Sequence, residues 1–335
     1  MLMQAIAQEN GSDPNDPNVV YVRRDGERNP DIKNVHDQEQ LEAFAENLKY
    51  LTLGYFLLEK EEYALHAVDL INAFFVDDET RMNPDLNYGQ VIRGRNNPSG
   101  LGRAESIISV RVLAQVVNVL PLLESFGPYA KMTDSLHKWF QEYLHWLLTS
   151  PVMDAAIQQV NNIHTWYTVE VAAIQNFLDP TQVPGYLKPF FANVLPNQIN
   201  KNTGDQPFES ARTKPLHYLI FNLDAVVYLA EIGRTVGLDF YHQKPQLIRL
   251  AADHIISFVG DTKEDITEAV RVVQIVANIY GDRKRRYQCF VDAARHSKDA
   301  ENISGPENAL APLWSDEVQN KRKSSHILGR LLKNV

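Results

Sequence analysis

A single cysteine, Cys289, is all that the 335 residues carry. That excludes an internal disulfide framework and a cysteine-based zinc site. The ten histidines contain no His-x-x-x-His spacing, so no metal site is expected and no cofactor is called for. Positive charge is also scarce. Lys and Arg total 33 against 42 Asp and Glu, a net charge of −9, which argues against nonspecific binding to nucleic acid. An acidic substrate stays open, because a local basic cleft overrides net charge. No apolar run reaches the ~20 residues of a membrane span, so no membrane partner is expected. Met1 to Ala7 is too short for a signal-peptide core, and polar residues follow it. The sequence reads as soluble and unprocessed, or as lacking its true start. Its oligomeric state is not legible.

Convincing runs of alternating strand residues are lacking too, and helical periodicity dominates. Leu41, Phe44, Ala45, Leu48, Leu51 and Tyr55 recur at helical spacing after Asp37, and Ala64, Ala67, Ile71, Phe74 and Phe75 do so after Lys60. Further helices are predicted over 105–126, 133–148, 162–178, 184–200, 212–236, 242–259, 263–280 and 283–295. About ten helices with mostly short connections read as stacked antiparallel helix hairpins. Two polar stretches interrupt them, 80–102 and 200–212. A loop as long as 80–102 inside a compact domain is usually functional or disordered. Residues 1–30 are predicted to be irregular, 31–300 to form the helical domain, and 301–335 to be a frayed tail with a short apolar stripe.

The stretch richest in chemistry is Asn161-Asn-Ile-His-Thr-Trp-Tyr167. Asn162 is expected to cap the helix that follows, which would place the cluster where free N–H groups and the dipole favour an anion.

Several segments in order resemble the alginate lyase domain family of polysaccharide lyases, which act on polyuronates. Tyr21-Val-Arg-Arg-Asp-Gly-Glu-Arg-Asn-Pro-Asp31 looks like its opening segment. Thr80-Arg-Met-Asn-Pro-Asp-Leu-Asn-Tyr-Gly-Gln90 is similar to its cleft loop, and Leu147-Leu-Thr-Ser150 precedes the Asn-Asn motif as it does there. Ala211-Arg-Thr-Lys-Pro-Leu-His-Tyr218, followed by Phe221-Asn-Leu223, is similar to its catalytic-tyrosine helix. The resemblance spans roughly residues 18 to 290. It implies an all-α fold, an (α/α) toroid or incomplete barrel of antiparallel helix hairpins with a cleft for the sugar chain. The family motif usually reads Asn-Asn-His-Gly-Thr-Trp-Tyr; here Ile163 holds the histidine position and His164 the glycine position. Family members usually carry a signal peptide and further helices before the Tyr-Val-Arg-Arg segment. The resemblance therefore implies secretion. Either the amino end of the chain given is short, or this copy has lost part of the toroid.

A lyase cleaving a 4-linked uronate removes the C5 proton, α to a carboxylate, and expels the C4 oxygen. Donors must meet the charge that develops on the carboxylate, and a base and an acid must serve C5 and O4. By the resemblance, Tyr218 is base and acid, and Asn162, Arg212 and a displaced His164 neutralise the carboxylate. A phenol has an ordinary pKa of ~10, and cations such as Arg212 or Lys214 nearby would favour its phenolate. Tyr88, Gln90, Arg103, Asn161, Trp166, Tyr167 and His217 are the candidate substrate contacts. Arg103 suits a uronate carboxylate because arginine binds one bidentately; Arg93 and Arg95 sit in the same loop. Trp166 and Tyr167 offer faces for sugar rings, with core packing as the competing use. His217 would point about 100° away from Tyr218 on a helix. The expected partner is an acidic polysaccharide, such as alginate or glucuronan, either cleaved or, in a catalytically impaired homologue, only bound.

Overall fold

A computed structural model describes residues 35–92, 97–260 and 262–302, together with the backbone of two short strands. These strands, β1 (Ala5–Ala7) and β2 (Tyr21–Arg23), pair antiparallel, with Ile6 opposite Val22. Most of the predicted opening segment, Arg93, Arg95 and the predicted tail lie outside the described residues. The chain divides into two compact units. One holds the residues up to Gln158 plus Ala173–Pro180; the other holds Gln159–Ala172 and the described residues from Thr181 on.

The first unit begins with α1 (Asp37–Leu58) and α2 (Glu61–Ile71). Acidic Asp37 and Glu39 sit in the first turn of α1, where the dipole favours them. Glu59 ends it in a left-handed conformation, φ 55°, its N–H bonded to the Tyr55 carbonyl. Of the predicted stripe, Leu41, Phe44, Ala45 and Leu48 are buried, and Leu51 and Tyr55 are half-buried. α2 continues through a wide π-turn, Asn72–Val76, which turns Phe74 and Phe75 toward the stripe. Phe44 stacks on Phe74 at 4.1 Å, and Phe75 meets Trp139 edge-on at 4.7 Å. Phe44, Phe75 and Trp139 are buried, each such ring contributing about 1.5–3 kcal/mol, and Phe74 is half-buried.

The single helix expected over 105–126 is broken into α3 (Ser106–Val110), α4 (Leu113–Val119) and a 3₁₀ turn, Leu120–Leu123. Pro121 has no N–H to continue the ladder. α5 (Gly127–Ala130) and α6 (Thr133–Thr149) follow. A helix that periodicity missed, α7 (Pro151–Ile157), comes next. Its cap is Ser150, whose hydroxyl accepts the Val152 N–H, with Pro151 at the first helical position. The described parts of loop 80–102, residues 80–92 and 97–102, are irregular and anchored: Trp139 Nε1 donates to the Met82 carbonyl at 2.8 Å and Trp146 Nε1 to Asn87 Oδ1 at 2.9 Å.

α8 (Asn162–Leu178) has the predicted bounds; its residues up to Ala172 belong to the second unit. α9 (Val183–Pro189), a π-turn at Phe190–Val194 and α10 (Leu195–Gln198) fill the stretch predicted as one helix, the wide turn following the proline. The polar stretch 200–212 holds one helical turn, α11 (Pro207–Ser210). α12 (Pro215–Thr235) starts three residues later than expected, with Pro215 at its first position. α12 is apolar on nearly every side and packs against α9 and against two later helices, α13 (Leu247–Ile255) and α14 (Val270–Tyr280). α15 (Arg286–Arg295) covers α14. All three late helices begin downstream of the periodicity, because Pro245 and short 3₁₀ or turn segments occupy the predicted first turns.

Contrary to the expectation of none, two helical stretches, Ser106–Leu123 and Pro215–Thr235, are long and apolar enough to cross a membrane. They are 72% and 78% buried inside the protein, the environment of core helices.

Candidate active site

Asn161 and Asn162 exchange the roles expected of them. Asn161 is the cap: its Oδ1 accepts the Ile163 N–H at 3.0 Å, and its carbonyl accepts the His164 N–H. Asn162 is the first helical residue, and either amide of an Asn-Asn pair can fill the capping position. The side chain freed from capping turns to Glu209. The Asn162 N–H reaches Glu209 Oε1 at 2.6 Å, and Nδ2 lies 2.9 Å from both carboxylate oxygens, with both residues buried. The anion that the helix start favours is thus a carboxylate of the chain itself. α12 begins the same way. No side chain of its own caps it, and the N–H groups of Leu216 and His217 go to the Glu264 carboxylate at 3.1 Å each.

Glu209 leads on to the other candidates. Its carbonyl accepts the Arg212 N–H at 3.0 Å. The Arg212 guanidinium carbon lies 3.8 Å from the centroid of the Tyr218 ring, a close cation–π contact. Asn162, Arg212 and Tyr218 are therefore linked through Glu209 inside one compact unit. Arg212 and Tyr218 are half-buried.

A set of buried amides holds this arrangement from behind. Gln198 Nε2 donates to the Asn161 carbonyl at 3.2 Å, and its Oε1 accepts from Thr165 Oγ1 at 3.0 Å and Asn222 Nδ2 at 3.2 Å. Asn222 Nδ2 also reaches Gln206 Oε1 at 2.8 Å, and Gln206 Nε2 donates to the Leu219 carbonyl at 3.0 Å. The start of α8, the end of α10, the residue before α11 and the second turn of α12 are tied together. Sequence reasoning missed Glu209, Gln198 and Gln206. Their partners lie 13 to 47 residues away, a distance that local spacing does not report.

His164 faces elsewhere. Its Nδ1 lies 3.1 Å from the Gln159 carbonyl, which accepts, so that nitrogen carries the proton. The ring meets Phe190 edge-on at 6.2 Å. Burial lowers its pKa from the ordinary 6.5, against a smaller opposing effect of the Gln159 bond. His164 is thus a neutral ring at neutral pH, with Nε2 as an acceptor. His217 is half-exposed, and its Nδ1 lies 2.7 Å from Glu268 Oε2. It stacks on Phe221, interplanar angle 12°, and stands edge-on to Tyr218 at 5.2 Å.

The aromatic pair is corrected to core. Trp166 is 2% exposed and packs on Phe221 at 5.1 Å, and Tyr167 is 7% exposed. Neither face is open to a sugar ring. Gln90 is buried in the first unit. Its Nε2 bonds Ser109 Oγ and the Glu105 carbonyl, each at 2.9 Å, while its Oε1 accepts from Arg103 at 3.0 Å. Arg103 also pairs with Glu105 at 3.6 Å. These side chains brace the loop. Tyr88 in the same loop is 68% exposed. Among the described residues no cluster of His, Cys, Asp and Glu could hold a metal ion.

A solved alginate lyase from Bacteroides ovatus matches the chain with a TM-score of 0.75 and 28% identity. The match covers 84% of this chain and 77% of that one. No curated protein matches. The fold class is all-α, that of the α/α toroid of this solved relative. A family model described as alginate lyase matches residues 3–265, and the chain accordingly belongs to the alginate lyase family of polysaccharide lyases.

Proposed function

We propose that the chain cleaves a polyuronate, alginate foremost and glucuronan as the alternative, by β-elimination at the site built on α8, α11 and α12. The observation that carries this reading is the Arg212 guanidinium lying 3.8 Å from the Tyr218 ring centroid, in the unit that also holds Asn162. A cation against a phenol ring favours the phenolate. The phenolate oxygen takes the C5 proton. The C5–H electron pair becomes the C4–C5 double bond as the C4–O bond breaks, and the new phenol returns the proton to O4. Tyr218 ends as it began, so no cofactor enters the balance. Arg212 and an Asn162 hydrogen meet the carboxylate, on which negative charge builds in the transition state. His164 takes no part in this scheme, because its ring faces Gln159 and Phe190. His217, half-exposed and edge-on to Tyr218, is the side chain placed for a neighbouring sugar. Export of the chain fits a polymeric substrate.

The test is ultraviolet absorbance of the unsaturated product on incubation with a panel of polyuronates, for the native chain and Tyr218→Phe. Signal from the native chain alone supports the reading; none on any polyuronate sinks it. One observation favours a second reading, a homologue that binds acidic polysaccharide without cleaving it: the only histidine of the motif points to Gln159. Activity that appears only in the double variant Ile163→His, His164→Gly would establish that reading.

A further inference from the structure

We infer that Glu209 is a positioning residue that sets the direction of the one Asn162 hydrogen that does not bond it. The inference rests on the reading of Asn162 as a carboxylate donor given above. Nδ2 lies 2.9 Å from each oxygen of Glu209. The two oxygens of a carboxylate sit about 2.2 Å apart, so from such a nitrogen they subtend roughly 45°, whereas the two hydrogens of an amide diverge by about 120°. Both hydrogens therefore cannot meet both oxygens. One sits between them and is shared; the other is turned away from Glu209. The Asn162 backbone N–H, 2.6 Å from Oε1, fixes the carboxylate on a second side. The amide plane is thus held by three contacts to one rigid group.

Glu209 is buried and is itself held by the turn of α11: its N–H bonds the Gln206 carbonyl at 2.8 Å, and its carbonyl holds the Arg212 N–H. The residue that aims the Asn162 hydrogen thereby also sets the start of the segment that carries Arg212. Both donors proposed for the uronate carboxylate take their register from Glu209. A carboxylate is required, since both its oxygens accept from the same amide. Glutamine at 209 offers one oxygen and an NH₂ group, and so presents donor to donor.

The experiment is a double-mutant cycle between Asn162→Ala and Glu209→Gln, with kcat and KM measured separately. Glu209→Gln is expected to lower kcat roughly 10- to 100-fold, the scale of a misplaced transition-state donor, with a smaller change in KM. In the Asn162→Ala background the same change should cost less than about twofold in kcat, because the group it aims is gone. An equal loss in both backgrounds overturns the inference. Glu209→Asp keeps the carboxylate and should recover part of kcat over Glu209→Gln. A second readout needs no substrate. The two Nδ2 hydrogens of Asn162, assigned in the nuclear magnetic resonance spectrum by their loss in Asn162→Ala, should differ widely in chemical shift and exchange rate in the native chain. They should converge in Glu209→Gln. Two equally protected hydrogens in the native chain overturn the inference even if the protein is an active lyase. Widely split hydrogens in a chain that cleaves no polyuronate leave Glu209 aiming the amide and sink only the lyase reading.

Discussion

Replacing Asn162 by aspartate changes Nδ2 to an oxygen with almost no change in volume, and so isolates the contact at the centre of the site. In the native chain that atom lies 2.9 Å from both oxygens of Glu209, with both residues buried. In the variant, carboxylate faces carboxylate, and two like charges so close do not both stay ionised. The pair takes up one proton and shares it. Holding that proton costs about 1.4 kcal/mol for each pH unit above the free carboxyl value near 4, hence about 1.4 kcal/mol at pH 5 and about 4 kcal/mol at pH 7. The sign follows directly. The pair's folded pKa is raised above its unfolded value, so the folded variant binds more protons than the unfolded chain, and its stability falls as pH rises. Urea unfolding of the native chain and Asn162→Asp between about pH 5 and pH 8 should show a deficit widening by about 1.4 kcal/mol per unit. Asn162→Ala removes the bond without adding charge and should lose about 1.5–3 kcal/mol with a much flatter pH slope. A deficit of Asn162→Asp that is the same at both ends of the range would refute the Asn162–Glu209 contact.

Three further expectations follow from other parts of the protein. His164 has its pKa lowered by burial, so the unfolded chain binds its proton more readily and stability is lost as pH falls through the unfolded value near 6.5. His164→Gln should therefore lose less thermal stability than the native chain between about pH 7 and pH 5. Gly204, at φ 76°, sits where an added Cβ would strike the Leu250 carbonyl. Gly204→Ala should cost at least about 2 kcal/mol in urea unfolding, combining backbone strain with the clash. Arg212→Lys keeps the charge but loses the planar group over Tyr218. It should hold the pH optimum while lowering kcat/KM by about tenfold, the worth of one bidentate contact.

Much of the helical plan was legible in the sequence. The bounds of α8 follow from its Asn-rich start and apolar run, and α1 from Asp37 and the Leu41–Leu48 stripe. What failed did so for identifiable reasons. α7 is too short for periodicity, although Ser150-Pro151 carried a capping signal. α3 and α4 share one apolar pattern across a turn. Trp166 looked like a platform for sugar because residue type does not report burial. The candidate site was half legible: the Asn-Asn turn, Arg212 and Tyr218 stand out, but Glu209 reads only as one acid in a polar stretch. Its role arises from a contact across 47 residues, which only the fold supplies.

The central claim, that this site performs β-elimination on a polyuronate with Tyr218 as base and acid, is tested most directly by one measurement. The native chain and Tyr218→Phe are compared for ultraviolet absorbance of the unsaturated uronate product on alginate and glucuronan, with oligomer binding measured alongside. The account predicts product from the native chain, none above background from Tyr218→Phe, and similar binding by both. Product formed at the native rate by Tyr218→Phe would contradict it.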